Sequence, residues 1–178
     1  MIELKGNLPV LIVLAGLPGT GKTTLAKMLS KELNLFFLRV DCIETPFMTQ
    51  NEMCGSSGEG YQALVNLAEE NLNLGHSVII DCVNPIHDSR KMFLNLAQRT
   101  NAVLFQFELK TKDLNLHRKR IEKRKADIPN QKLPSWNDVL IHNYECWDEK
   151  KDEAVAIIWT DNICQAFDKC LDILRNNQ

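Results

Sequence analysis

The sequence predicts an α/β fold with a parallel sheet covered by helices on both faces. Three observations carry that expectation. Short apolar runs alternate with amphipathic stretches along the chain, the run Val10 to Ala15 is apolar throughout, and a glycine-rich loop joins that run directly to a helical pattern.

The first strand is Val10 to Ala15, a β-branched run that stops at Gly16, as a strand buried on both faces should. Leu25, Met28, Leu29 and Leu33 then recur at helical spacing, with Lys27, Lys31 and Glu32 on the opposite face. Phe36 to Val40 reads as strand two, with Asp41 directly after it, and Thr45 to Gly60 reads as a mobile loop or short lid because of Pro46 and its cluster of Gly and Ser. Tyr61 to Leu74 reads as a helix and Ser77 to Ile80 as strand three, followed at once by Asp81. Next come a helix over Ser89 to Arg99, a strand over Ala102 to Leu109 and a strongly basic helix over Leu114 to Lys125, which Pro129 and Pro134 close off. A helix over Trp136 to Lys150, a strand over Ala154 to Trp159 and a helix over Ile163 to Leu174 complete the pattern. Trp159 lies in an apolar run and reads as structural, and core or rim packing is the expected role of Trp136 and Trp147 too.

A chain of 178 residues suits one domain over 1–178, and 44% apolar with 25% charged residues is an ordinary globular balance. A formal charge of −2 argues against a protein that coats long nucleic acids. The six cysteines show no metal-ligand spacing, so no structural metal is expected, and scattered thiols suit a reducing compartment. The N-terminal stretch reads as neither signal peptide nor membrane span, so the expectation is cytoplasmic, with no membrane partner.

The loop Gly16-Leu17-Pro18-Gly19-Thr20-Gly21-Lys22-Thr23 fits G-x-x-x-x-G-K-[ST] without deviation, and Thr24 continues it. Its backbone N–H groups at a helix N-terminus form a site for the phosphates of a nucleoside triphosphate. Lys22 would reach the terminal phosphates and the Thr23 hydroxyl would ligate magnesium, which makes ATP and Mg2+ the expected cofactors. No N-K-x-D element follows for guanine, and Asp81 is followed by Cys82 rather than the second acid of a motor ATPase.

With Arg39-Val40-Asp41 after strand two, Val78 to Asn84 at strand three, Arg90 in the next helix and Arg120 to Arg124 in the basic helix, the chain resembles a group of small AAA-domain-like P-loop kinases. That group contains polynucleotide 5′-hydroxyl kinases, zeta toxins and chloramphenicol phosphotransferase, and the resemblance runs from Val10 to Asn162. It implies a three-layer α/β/α sandwich whose five-stranded parallel sheet has the order 2-3-1-4-5, with a small helical lid at about 114–134. It also implies an ATP-dependent kinase that transfers the γ-phosphoryl group to a hydroxyl of a small molecule or nucleic-acid end, the acceptor being open. Asp41 would activate that hydroxyl, or else cap the following turn. Asp81 would hold the metal, or orient the acceptor with Arg39, Asn84 and Arg90, or cap a loop. Arg120 and Arg124, four apart, would share a helical face and clamp the transferring phosphate. A non-catalytic ATP-binding regulator and a zeta-like toxin kinase are the alternatives.

Overall fold

The computed structural model describes residues 8–48, 58–148, 150–153 and 155–176. Val10–Ala15 forms β1, and its side chains alternate between two cores. Ile12 and Leu14 face one side with helix α1 (Lys22–Leu33) and α7 (Ile163–Asn176), while Leu11 and Val13 face the other with α3 (Glu59–Asn73) and α4 (His87–Thr100). This period-two alternation between two apolar layers is why the strand reads as apolar throughout.

The other strands are β2 (Phe36–Arg39), β3 (Val78–Asp81), β4 (Val103–Lys110) and β5 (Val155–Trp159). All pairings are parallel, and the order is β2-β3-β1-β4-β5, the order the resemblance implies. The glycine-rich loop therefore leaves the middle strand, where β3 and β4 flank it and ligands of open parallel sheets bind.

Four expectations need correction. Val40 does not end strand two and Asp41 does not directly follow it; the two open helix α2 (Val40–Met48), which begins right after Arg39 and takes up Thr45 to Met48 of the expected loop. The rest of that loop, as far as 57, lies outside the described residues. Asp81 is the last residue of β3 rather than the residue after it.

The expected helix over Trp136 to Lys150 shrinks to α6 (Trp136–Leu140), whose Ser135 and Asp138 form a reciprocal capping box; Glu149 and Ala154 lie outside the described residues. The chain after α6 runs without helix so that Tyr144 and Trp147 can stack on the Arg90 guanidinium, at 5.6 and 4.2 Å from the ring centroids. Trp159 is not core. It is 45% exposed at the end of an edge strand, with the Lys112 ammonium 4.8 Å above its ring. No helix among the described residues is long and apolar enough to cross a membrane.

Candidate active site

The loop between β1 and α1 is held by its own polar groups. The Thr20 hydroxyl donates to the Leu17 carbonyl at 2.8 Å, and Gly21, at φ +92°, is the N-cap of α1. Lys22 turns back on the loop, its Nζ donating to the Gly16 carbonyl at 2.7 Å and the Leu17 carbonyl at 2.9 Å. Burial pulls this ammonium below its usual range, with Asp81 acting in the opposite direction. The Thr23 hydroxyl donates to Asp81 Oδ2 at 2.6 Å, which joins the start of α1 to the end of β3. Burial pushes the Asp81 carboxyl up, and Lys22 and Thr23 oppose that.

Helix α5 (Leu114–Lys123), capped by Asp113, lies on this loop. The His117 ring pairs through Nε2 with the Pro18 carbonyl at 2.7 Å. Gly19 sits under α5 at φ +82°, and a Cβ there would stand 2.6 Å from Ile121 Cδ1, so a side chain at this position would be strained and would have to displace Ile121.

On the other side of Thr23, three carboxylates and two arginines converge. The Arg39 guanidinium, its side chain 3% exposed, donates to Asp41 Oδ2 at 2.7 and 3.2 Å and to both oxygens of Asp127 at 2.8 and 3.0 Å, and stands 3.6 Å from Asp81. Asp41 also accepts from Gln131 Nε2 at 2.8 Å and lies 3.8 Å from Arg124 Nη2. Placing Asp41 in the first turn of α2 suits a carboxylate, since a helix N-terminus favours negative charge.

Two adjoining cavities flank Lys22 and Thr23. The larger, about 430 Å³, is lined by Gly19, Gly21, Thr24, Lys27, Arg120, Asp127 and Ile163 as well. The smaller, about 100 Å³, is lined by Asp41, Asp81, Gln131 and Pro18 as well. Lys22, Thr23 and Arg124 border both. Gly16, Leu17 and Thr20 line neither and form the back of the loop.

The donor set fits a magnesium-bound triphosphate. It has a glycine-rich turn opening a helix, a lysine whose present partners are exchangeable loop carbonyls, and a hydroxyl already paired with a carboxylate.

The expected residues do not all gather here. Arg124 is the C-cap of α5, one turn after Arg120 with φ −62°, and both arginines border the larger cavity before the chain turns away at ψ 136°. Arg120 borders only the larger cavity and donates to the Thr160 carbonyl at 2.7 Å, whereas Arg124 turns across to Asp41. Arg90, 1% exposed, is a buried clamp: it pairs with Asp152 at 2.9 Å and donates to the carbonyls of Asn84, Pro85, Glu145 and Cys146. Asn84 is fully buried at φ +52°, its side-chain oxygen accepting from Ser89. Neither Arg90 nor Asn84 borders the two cavities.

Asp127, Gln131, Lys27, His117 and Ile121 were not singled out from sequence as site residues. A faint signal existed for Asp127 alone, the only carboxylate between Glu122 and Asp138 in an otherwise basic stretch.

A family model described as AAA domain matches residues 11–139. Among curated proteins, the chain is 30% identical over 149 residues to an L-seryl-tRNA(Sec) kinase of Methanococcus maripaludis, covering 78% of this chain and 52% of that one. It is 38% identical over 69 residues to a cytidylate kinase of Methanococcus aeolicus, covering 39% of this chain and 35% of that one. The chain thus spans between a third and about half the length of these relatives.

Among solved structures, an unliganded sugar kinase from Janibacter sp. superposes with a TM-score of 0.69 at 19% identity, over 92% of this chain and 93% of that one. The Mycobacterium tuberculosis APS kinase CysC in complex with AMPPNP and APS gives 0.69 at 16% identity, over 95% and 99%. At these identities the structures speak for the fold.

Proposed function

The chain is a kinase-like P-loop NTPase that belongs to the AAA-domain family, and on that premise we propose that it transfers the γ-phosphoryl group of ATP to a hydroxyl group. The observation that carries this reading is the pair of cavities meeting at Lys22, Thr23 and Arg124, one bordered by the phosphate loop and the other by Asp41. A donor and an acceptor in these two spaces would have their reacting atoms beside the same cations, which is what positioning and charge neutralisation require.

In this reading the Gly16–Thr24 loop cradles the phosphates, with Gly19 and Gly21 to Thr24 facing them and Gly16, Leu17 and Thr20 backing the turn. Lys22, Arg120 and Arg124 neutralise charge on the transferring group, and Thr23 with Asp81 holds magnesium. Bound ATP with magnesium supplies the phosphoryl group and much of the charge balance. Asp41 orients the acceptor hydroxyl and takes its proton, with Arg39 fixing the carboxylate.

Asp41 at the smaller cavity favours an alcohol acceptor, whose proton a carboxylate can take, whereas a phosphate acceptor is already ionised and offers none. Of the two relatives, the L-seryl-tRNA(Sec) kinase, which covers more of this chain, is the one named for a seryl-bearing molecule.

The test is transfer from γ-labelled ATP and magnesium to a panel of aminoacyl-tRNA, RNA ends, nucleosides and sugars. One hydroxyl-bearing class should take up label, and Lys22→Ala should lower the rate by about 100-fold or more. A protein that binds ATP but labels nothing in the panel would contradict the reading.

A further inference from the structure

We infer that Asp127 is a latch and positioning residue: by holding Arg39 and Lys27 together it seats the 124–134 segment over the site and sets the orientation of Asp41. The inference rests on the kinase reading for its catalytic half only.

The geometry is specific. Asp127 receives two hydrogen bonds from Arg39 Nη1, at 2.8 and 3.0 Å, and one from Lys27 Nζ at 3.0 Å. Lys27 lies one turn beyond Thr23 on α1, bordering the larger cavity, and Arg39 ends β2. One carboxylate from the connecting segment thus ties the helix that follows the phosphate loop to the strand that precedes Asp41.

The same segment reaches Asp41 twice more, through Gln131 Nε2 at 2.8 Å and Arg124 Nη2 at 3.8 Å. Three contacts from a single stretch of chain therefore form or break together. The Arg39 hydrogen bonds, with Lys27 adding to them, hold the Asp127 carboxyl down at about 2, so it stays ionised under ordinary conditions.

Charge competition explains how the latch acts on Asp41. Arg39 is shared among Asp41, Asp81 and Asp127, and its buried guanidinium has fixed donor directions. With Asp127 engaged through Nη1, only Nη2 and Nε remain for Asp41, which fixes that carboxylate's orientation. Without Asp127, Nη1 loses its partner, the guanidinium is free to rotate towards Asp81, and Asp41 loses its fixed geometry.

Two measurements on the full chain test this. The first needs no transfer: limited trypsin cleavage after Lys125 and Lys132 reports opening of the segment. Arg39→Lys, which leaves the cleaved stretch unchanged but cannot form the fork, should speed cleavage by about fivefold or more. Lys27→Met serves the same purpose should Arg39→Lys fail to fold. Unchanged cleavage in a folded variant would overturn the latch.

The second compares Asp127→Asn with Asp127→Glu. Asp127→Asn should lower kcat by about tenfold with ATP affinity within about twofold of wild type, and Asp127→Glu should recover most of the rate. An undiminished kcat, or parallel loss of kcat and ATP affinity that Asp127→Glu does not rescue, would overturn the positioning role. A wild-type chain that transfers nothing while Arg39→Lys still opens the segment would refute the kinase reading and support the latch.

Discussion

At the scale of single residues, the Thr23–Asp81 hydrogen bond of 2.6 Å is the contact on which metal binding should turn. Replacing Asp81 by Asn keeps the volume but removes the charge. The variant should need about tenfold more magnesium for half-maximal ATP turnover while binding ATP comparably without metal. A magnesium titration that superposes on wild type would refute the assignment.

Glu44 makes a different prediction. Burial, with Asp41 one turn away adding to it, lifts its carboxyl from 4.5 to about 7. A carboxyl whose folded value lies above its unfolded one binds more protons in the folded state between those limits. Stability must then fall as the pH rises from about 4.5 to 7. Glu44→Gln removes that dependence, so relative to wild type the variant should gain about 1 kcal/mol between pH 4 and pH 8, the screening of a partly exposed group being allowed for. Thermal melting at the two pH values measures it, and an offset between the proteins that does not change with pH would contradict it.

At the scale of elements, the contact between α5 and the phosphate loop couples a helix to nucleotide binding. Ile121 is 5% exposed against Gly19 and His117 grips the Pro18 carbonyl, so the loop's outer wall is a helix face rather than solvent. Ile121→Ala should cost about 3 kcal/mol in denaturant unfolding. Gly19→Ala, which forces a methyl into Ile121 at a left-handed φ, should weaken ATP binding by about tenfold or more.

Elements with one strong period were readable in the sequence. The β1 run and the stripe Leu25, Leu29, Leu33 specify a strand and a helix from local pattern alone, and the structure has both. Helix α2 was hidden because Phe36 to Val40 reads as one strand-like run broken only by Arg39, so nothing local marks Val40 as the first helical residue, and Pro46 reads as a breaker although it sits inside the helix. The expected long helix after Ser135 fails for the opposite reason. Its aromatic residues are needed around Arg90, whose burial and Asp152 partner no local pattern reveals.

At the scale of the whole molecule, the sheet order puts the loop after β1 between the ends of β3 and β4, and α2 brings Asp41 up beside it. The phosphate loop was legible because its chemistry is contiguous in sequence. The Arg39–Asp127 and Asp41–Gln131 contacts were not, because they join residues 88 and 90 positions apart and depend on how the 124–134 segment folds back.

These long-range contacts converge on Asp41, and Asp41 carries the central claim that the smaller cavity receives an acceptor hydroxyl. The most direct test is Asp41→Asn, with ATP affinity measured by titration and phosphoryl transfer by single turnover on the acceptor that the labelling panel identifies. The account predicts ATP affinity within about twofold of wild type and a transfer rate reduced by about 100-fold or more. A variant that transfers at the wild-type rate would contradict it.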